Sequence, residues 1–407
     1  MSAAPTVAAR PKLALLALAL GGFGIGTTEF VAMGLLPSIA EDLRVSVPTA
    51  GNVVSAYALG VVVGAPLIAS LAARVPRRTL LVWLMAAYSA GNLLTVFASS
   101  YATVLAARFL TGLPHGAFFG VAALTAASLV EHNRRAHSVA MVMMGLSVAN
   151  VIGVPLATWV GLAAGWRSAY VIVAVIGVVT IAALLAWVPD VHASPSGGAL
   201  AELSALRRPQ VLLTLGVGVV GFGGMFALYT YISPVLTEVA GFSAGTVPIV
   251  LALYGGGMVA GNFLGGWLAD RALMPGLMGL SIALAAALAT FSAVAAHPLA
   301  AVASAVAVAI AGSAMVPGLQ TRLMDTAADA QTLAAALNHS ALNVANALGA
   351  WLGGVVIAAG LGYTAPALVG AGLALAGLAV LAVSVVVQRR TDRVLRVESS
   401  RRTPVHA

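Results

Sequence analysis

Two charged residues sit inside apolar runs of the sequence. Glu29 lies between Thr28 and Phe30 with no other charged residue within ten positions, and Arg108 lies between Ala107 and Phe109. An ionised side chain at the centre of a bilayer costs about 2.5–3.5 kcal/mol on insertion scales, worth about two pKa units to a carboxylate. The chain lowers that cost by protonating Glu29 or by facing it into a wet cavity. In both arrangements proton occupancy responds to the side from which water enters, so reversible proton binding is the chemistry to expect. A position near the outer interface, with Glu29 merely solvated, is the alternative. Arg108 either lines the same cavity and tunes Glu29 by opposite charge, or snorkels to the interface. A third polar group lies at Asn338, His339, Asn343 and Asn346. His339, Asn343 and Asn346 are spaced i, i+4, i+7 and share one helix face. Such a stripe lines a water-filled path or bonds a neighbouring helix, the latter worth about 0.6–2 kcal/mol per contact. His115 reads as a helix-contact histidine.

Other chemistries are missing from the sequence. Cysteine is absent, H-E-x-x-H does not occur, and the single lysine, Lys12, follows Arg10 and Pro11 rather than a G-x-x-x-x-G phosphate loop. Neither a metal nor a cofactor is expected, and the chain is read as a non-enzyme. Gly241-Phe242-Ser243-Ala244-Gly245 fits the G-x-S-x-G nucleophile pattern but follows an apolar helix instead of a strand. Ser243 and Ser46 are therefore read as helix caps. Asn338-His339-Ser340 fits a glycosylation sequon inside a membrane span.

The elements that must position these residues are membrane helices. Of 407 residues 61% are hydrophobic and 8% charged, against about 25% charged in soluble domains. Apolar runs of the required ~20 residues number twelve: 13–36, 50–72, 79–98, 101–124, 137–160, 168–188, 210–235, 247–268, 274–294, 298–321, 333–358 and 363–387. The first exceeds a signal-peptide core and has no small-residue cleavage site before Glu29, so it is expected to remain as a helix. Outside the spans, one side holds seventeen basic residues, among them Arg74, Arg77, Arg78, Arg271 and Arg322, against Arg44 and Arg167 on the other. By the positive-inside rule both termini face the cytoplasm of a multi-pass plasma (inner) membrane protein. The net charge of +8 is thus a topology signal, with anionic lipid headgroups and not nucleic acid beside it.

The longest connection, 189–209, divides the helices into halves, 1–188 and 210–388, with a basic tail at 389–407. The halves are related. At an offset of 197, Pro37 falls on Pro234, Glu41 on Glu238, Ser46 on Ser243, Tyr57 on Tyr254 and Arg74 on Arg271; Asn150 meets Asn346 at an offset of 196. Six helices per half make the repeat parallel, an all-α plan that places a substrate site between the halves near the midplane.

Gly34-Leu35-Leu36-Pro37-Ser38-Ile39-Ala40-Glu41-Asp42-Leu43, at the end of the first span, resembles a signature of the twelve-helix drug:proton antiporters of the major facilitator superfamily, which include arabinose, purine and chloramphenicol exporters. Ala69-Ser70-Leu71-Ala72-Ala73-Arg74-Val75-Pro76-Arg77-Arg78 resembles the superfamily loop G-x-L-A-D-R-x-G-R-[RK] in its basic residues, with Ala73 at the Asp position. The second half keeps Gly266-Trp267-Leu268-Ala269-Asp270-Arg271. Arg108-Phe109-Leu110-Thr111-Gly112 resembles the R-x-x-x-G element. Gly145 to Gly161, with Gly153-Val154-Pro155 inside, resembles the antiporter motif with its Gly-Pro step stretched by one residue.

The resemblance implies a proton-coupled monomeric antiporter that exports a small amphiphilic molecule, such as a drug, by alternating access. It implies a proton-coupling role for Arg108, beside the one that burial in an apolar run suggests for Glu29. Conformational-switch roles would fall to Arg74, Arg77, Arg78, Asp270, Arg271, Gly153 and Pro155. The first, fourth and seventh helices line the path in that family, which makes Phe23, Phe30, Phe118, Phe119, Phe226 and Tyr229 substrate candidates together with His339, Asn343 and Asn346. Export of a sugar, nucleoside or purine by the same fold, and a transport-incompetent sensor or scaffold, are the competing readings.

Overall fold

A backbone in lipid must satisfy its own N–H and C=O groups, and the apolar runs do so as helices. The computed structural model describes residues 11–72, 75–131, 134–190, 208–327 and 331–402, so Arg74 and nearly all of the 189–209 connection lie outside the described residues. The crossing helices are α1 (Pro11–Gly34), α2 (Val47–Leu71), α3 (Arg77–Phe97), α4 (Tyr101–Ser128), α5 (Arg135–Val148, continued through Ala149–Gly153 and Val154–Ala164) and α6 (Trp166–Trp187). The second half has α7 (Pro209–Gly221 and Gly223–Tyr229), α8 and α9 within Val247–Val294, α10 (Pro298–Ala327), α11 (Gln331–Ala358) and α12 (Ala365–Arg402).

Eleven of the described helical stretches are long and apolar enough to cross a membrane. One of them, Ala244–Val294, has 51 residues, about 76 Å of helix and more than twice a ~30 Å hydrocarbon core. Ala272, at φ −156° and ψ 64°, breaks it into α8 and α9. That break yields the twelve crossings expected from the apolar runs. An even number brings both ends of the described chain to one face, the terminal face; the loops holding Arg44 and Arg167 lie on the opposite face.

Several helices depart from the expected spans, each for a local reason. The fifth is not one uniform helix: Ala149–Gly153 is a π turn, and Pro155 just beyond it lacks the N–H that would bond the carbonyl one turn back. The seventh is broken at Phe222 and again near Tyr231, where φ is −107° and ψ 19°. Gly221, Gly223 and Gly224 weaken the helix there, and Pro234 withholds another donor. The twelfth runs through to Arg402 because no Gly or Pro interrupts 386–402, so most of the expected tail is a continuation of α12. The tenth continues to Ala327 and carries Arg322 inside it, not in a loop. Ser46 caps α2 by accepting from the Thr49 N–H at 3.3 Å. Ser243 makes no such bond to the backbone; its hydroxyl pairs with Thr246 Oγ1 at 3.0 Å.

Small residues let backbones touch. A Cβ on Gly112 would stand 3.1 Å from the Cα of Gly60, so α2 and α4 meet with no side chain between them. Gly257, Gly261 and Gly265 present the same face of α8 to α10, whereas Gly120 has nothing within 4 Å. The halves join in the same way: Gly255 of α8 lies on the Asn150 and Val151 backbone in the π turn of α5. Ser55 of α2 donates to the Ala347 carbonyl of α11 at 3.1 Å, while within the second half Tyr231 donates to the Ala350 carbonyl at 2.8 Å.

On the opposite face Arg167 ties the first half together. It pairs with Asp42 and donates to the Val96 and Ala98 carbonyls at 3.1 and 2.9 Å, while Trp166 Nε1 donates to Asp42 at 3.1 Å. The Arg167 hydrogen bond holds the Asp42 carboxyl below the usual carboxylate range, with Trp166 adding to it and partial desolvation opposing. A depressed carboxylate stabilises the fold above its unfolded pKa and loses that contribution as pH falls through the folded value.

Thermal unfolding in detergent should therefore show Asp42→Asn less stable than wild type at pH 7, by no more than about 1 kcal/mol for so exposed a pair. The two curves should converge as pH drops below the ordinary carboxylate range; a constant difference would refute the assignment. Gly112→Leu should cost about 1–3 kcal/mol by overpacking against α2, read as a lower unfolding midpoint.

Candidate functional site

Both intramembrane charges are buried. Arg108 has zero exposure and Glu29 6%, so neither snorkels to an interface. Arg108 is held from α1: its Nη1 donates to Thr28 Oγ1 at 3.3 Å and its Nη2 to the Thr28 carbonyl at 3.0 Å. Its guanidinium carbon lies 4.3 Å from the centroid of Tyr57 on α2 and 5.2 Å from that of Tyr170 on α6. Cation–π attraction of this kind is worth about 2 kcal/mol or more when desolvated. The Thr28 hydroxyl donates to Asn92 Oδ1 at 2.7 Å, and Asn92 donates to the Tyr88 carbonyl at 2.9 Å. Tyr88 closes the network by donating to Gly24 at 2.6 Å.

Glu29 follows Thr28 directly, and its carboxyl has Arg108 and Asn346 as polar neighbours. The two charges are not in contact. Among the described residues the one ion pair within 4.0 Å is Asp42 with Arg167, and Arg108 Nε has no hydrogen-bond partner. The carboxylate and the guanidinium thus act on one another across a gap.

Beside Glu29 the halves meet through aromatic rings. Phe30 stacks on Phe226 at 6.3 Å and tilts against Tyr229 at 5.8 Å. Tyr229 stacks on Tyr254 at 4.3 Å with the rings 4° from parallel, and Phe222 meets Phe226 edge-on at 5.3 Å. α11 brings Asn343 and Asn346 to the same layer, 5% and 1% exposed. Asn343 Nδ2 donates to the His339 carbonyl at 3.0 Å. Asn343 Oδ1, both amide atoms of Asn346, Asn150 Oδ1 and the Tyr229 and Tyr254 hydroxyls have no protein partner. Unpaired buried polar atoms cost about 1–3 kcal/mol each, and here they converge where the halves meet.

A second aromatic layer lies nearer the terminal face. His339 of α11 stacks on Phe119 of α4 at 6.0 Å and 3°, and Phe119 meets His115 at 5.3 Å. His115 Nδ1 and the Tyr57 hydroxyl are 3.0 Å apart.

The remaining candidates are not assembled at the seam. Phe118 packs inside the first half over Gly21 of α1, and Phe23 packs on Gly153 in the π turn of α5, next to Thr27. Gly153 and Pro155 thus shape the α1–α5 contact. Arg77 donates to the Leu124 carbonyl at 3.1 Å, joining α3 to α4. Arg78 is half-buried, while Asp270 and Arg271 are exposed, with Arg271 resting on Trp267 at 4.4 Å. Among the described residues neither Asp270 nor Arg271 is in an ion pair.

The sequence reading passes over Thr28, Tyr57, Tyr88, Asn92 and Tyr170, which hold Arg108, and it misplaces Arg322. That arginine is 4% exposed and donates to Gln210, Ser384 and Gln388 at 3.0, 2.7 and 3.3 Å. The signal available for Tyr57 and Tyr170 is a buried arginine's need for partners; nothing in the sequence says which tyrosines supply it.

Comparison with known proteins agrees with this architecture. Residues 18–300 and 250–406 match the family model described as Major Facilitator Superfamily. Inner membrane transport protein YdhP of Escherichia coli (strain K12) is 47% identical over 270 residues, 66% of this chain and 69% of YdhP. The chloramphenicol resistance protein of Streptomyces lividans is 36% identical over 263 residues, 64% of this chain and 67% of that protein. The crystal structure of the D-xylose-proton symporter shares the fold, with a TM-score of 0.72 over 90% of this chain and 96% of that one at 16% identity. With its twelve crossings and a family match over most of its length, this chain is a membrane transporter belonging to the Major Facilitator Superfamily.

Proposed function

We propose that the protein is a proton-coupled antiporter that exports a small amphiphilic molecule, such as a drug or antibiotic, across the plasma membrane. Both termini would face the cytoplasm, and a monomer would be the working unit. One observation carries the reading: a buried carboxylate, Glu29, lies beside the aromatic layer shared by the two halves, with Arg108 near but not in contact. A carboxyl so placed exchanges its proton with whichever side water reaches, and a substrate entering the same layer competes with that proton. Alternating exposure then couples the two fluxes. Inward-biased Lys and Arg support the orientation, and similarity to a chloramphenicol resistance protein supports an amphiphilic cargo. Phe30, Phe226 and Tyr229 would supply apolar area, and Asn343 and Asn346 the polar contacts. The free amide atoms of these two asparagines favour, as the second reading, a polar cargo such as a nucleoside, purine or sugar.

In everted vesicles with an imposed pH gradient and labelled chloramphenicol, purine nucleoside and pentose as probes, Glu29→Gln should abolish gradient-driven accumulation while equilibrium binding persists. An unchanged driven rate would overturn the coupling role. Arg108→Ala should shift the pH dependence of the driven flux; an unmoved profile with normal membrane insertion would reduce Arg108 to a packing group. Which probe is driven decides between the two cargo readings.

A further inference from the structure

The Tyr57–His115 contact is not used by this mechanism as so far stated, and it is costly to keep in lipid. Both side chains are almost fully buried, at 1% and 3% exposure. Intramembrane ionisable groups of this kind mark proton or substrate routes by default. Depth along the helices gives the pair a direction. At 1.5 Å per residue, Tyr57 is about 15 Å from the opposite-face end of α2, His115 about 21 Å along α4, and His339 about 28 Å from the corresponding end of α11. These three descend in order toward the terminal face. Tyr57 also touches the upper step, because its ring lies 4.3 Å beneath the Arg108 guanidinium that α1 holds at Thr28. The lower step is closed by the ring ladder of His115, Phe119 and His339.

We propose that Tyr57 and His115 form the proton relay between Glu29 and the terminal face. This rests on the proton-coupled reading of Glu29. In the release step the Glu29 O–H bond breaks, leaving the carboxylate, and its proton passes, through water entering the seam, to Tyr57 Oη. The Tyr57 hydroxyl proton moves to His115 Nδ1 across the 3.0 Å contact. His115 then releases the proton on Nε2 toward the terminal face, and Glu29 is reloaded from the opposite face. One proton enters and one leaves; Tyr57 is restored, and His115, left as the Nδ1–H tautomer, returns to the Nε2–H form by proton exchange with water before the next transfer. The charged or titratable groups around the pair are Glu29 of α1, Tyr88 of α3, Arg108 of α4, Tyr170 of α6 and His339 of α11. Tyr57 keeps a separate structural duty as a ring against Arg108, which a phenylalanine also performs.

The test needs no transported ligand. In full-length purified protein, a pH jump followed by time-resolved infrared spectroscopy reports the Glu29 carboxyl band, identified by its loss in Glu29→Gln. Tyr57→Phe, which keeps the ring, and His115→Gln, which keeps an acceptor for the tyrosine, should each slow equilibration of that band by at least tenfold. The final amplitude should be unchanged, which shows that the site remains folded and titratable. Wild-type rates in both variants would overturn the relay and leave the Glu29 reading standing. Absence of any titrating Glu29 band in the wild type would overturn both. A reduced amplitude at wild-type rate would assign the pair a structural role and equally overturn the relay.

Discussion

A guanidinium buried at zero exposure in the first half, with no carboxylate in contact, is the constraint on which the rest of the site depends. Lipid offers it nothing, so protein must supply its partners. Thr28 gives two acceptors from α1, Tyr57 and Tyr170 give ring faces from α2 and α6, and Asn92 and Tyr88 of α3 hold Thr28 in place. Four helices are thereby locked around α4. Glu29 follows Thr28 by one residue, so satisfying Arg108 also sets where the carboxylate points. The buried carboxylate and the packing centre are thus neighbours on one helix.

The seam between halves is built to a different rule. At the seam, amide and hydroxyl atoms of Asn150, Asn343, Asn346, Tyr229 and Tyr254 have no hydrogen-bond partner among the described residues. Rings in near-parallel contact fill the space between them. Stacked apolar faces resist sliding less than hydrogen bonds do, and backbone-on-backbone contacts such as Gly255 on Asn150 place no side chain in the way. That combination leaves the seam less tightly bonded than the first half, which the Arg108 and Asp42–Arg167 networks tie together.

Within the second half a parallel exists in kind but not in position. Arg322 is buried among Gln210, Ser384 and Gln388, neutral acceptors from α7 and α12, close to the terminal face. Its hydrogen bonds go to neutral groups, and through them it joins α7, α10 and α12. The asymmetry matters: the repeat preserves glycines, prolines and the fold, while the buried carboxylate occurs in the first half alone among the described residues.

The amino-acid sequence by itself determines the helices, their number and their pairing into halves, because hydrophobic runs, basic loops and a 197-residue register are properties of one dimension. It also exposes Glu29 and Arg108, since a charge inside an apolar run is conspicuous without knowing any neighbour. Tyr57, Tyr170 and His115 are different. A tyrosine or histidine in a membrane helix is ordinary until helix rotation brings it under a guanidinium or against another ring, and that rotation is set by packing between residues 50 to 120 positions apart. The same reason explains Phe118, which shares a helix with Phe119 yet faces the interior of its own half, and Arg322, whose burial follows from α10 running past the expected end of its span. Only the tertiary structure decides which faces meet, and proton chemistry in lipid depends on faces.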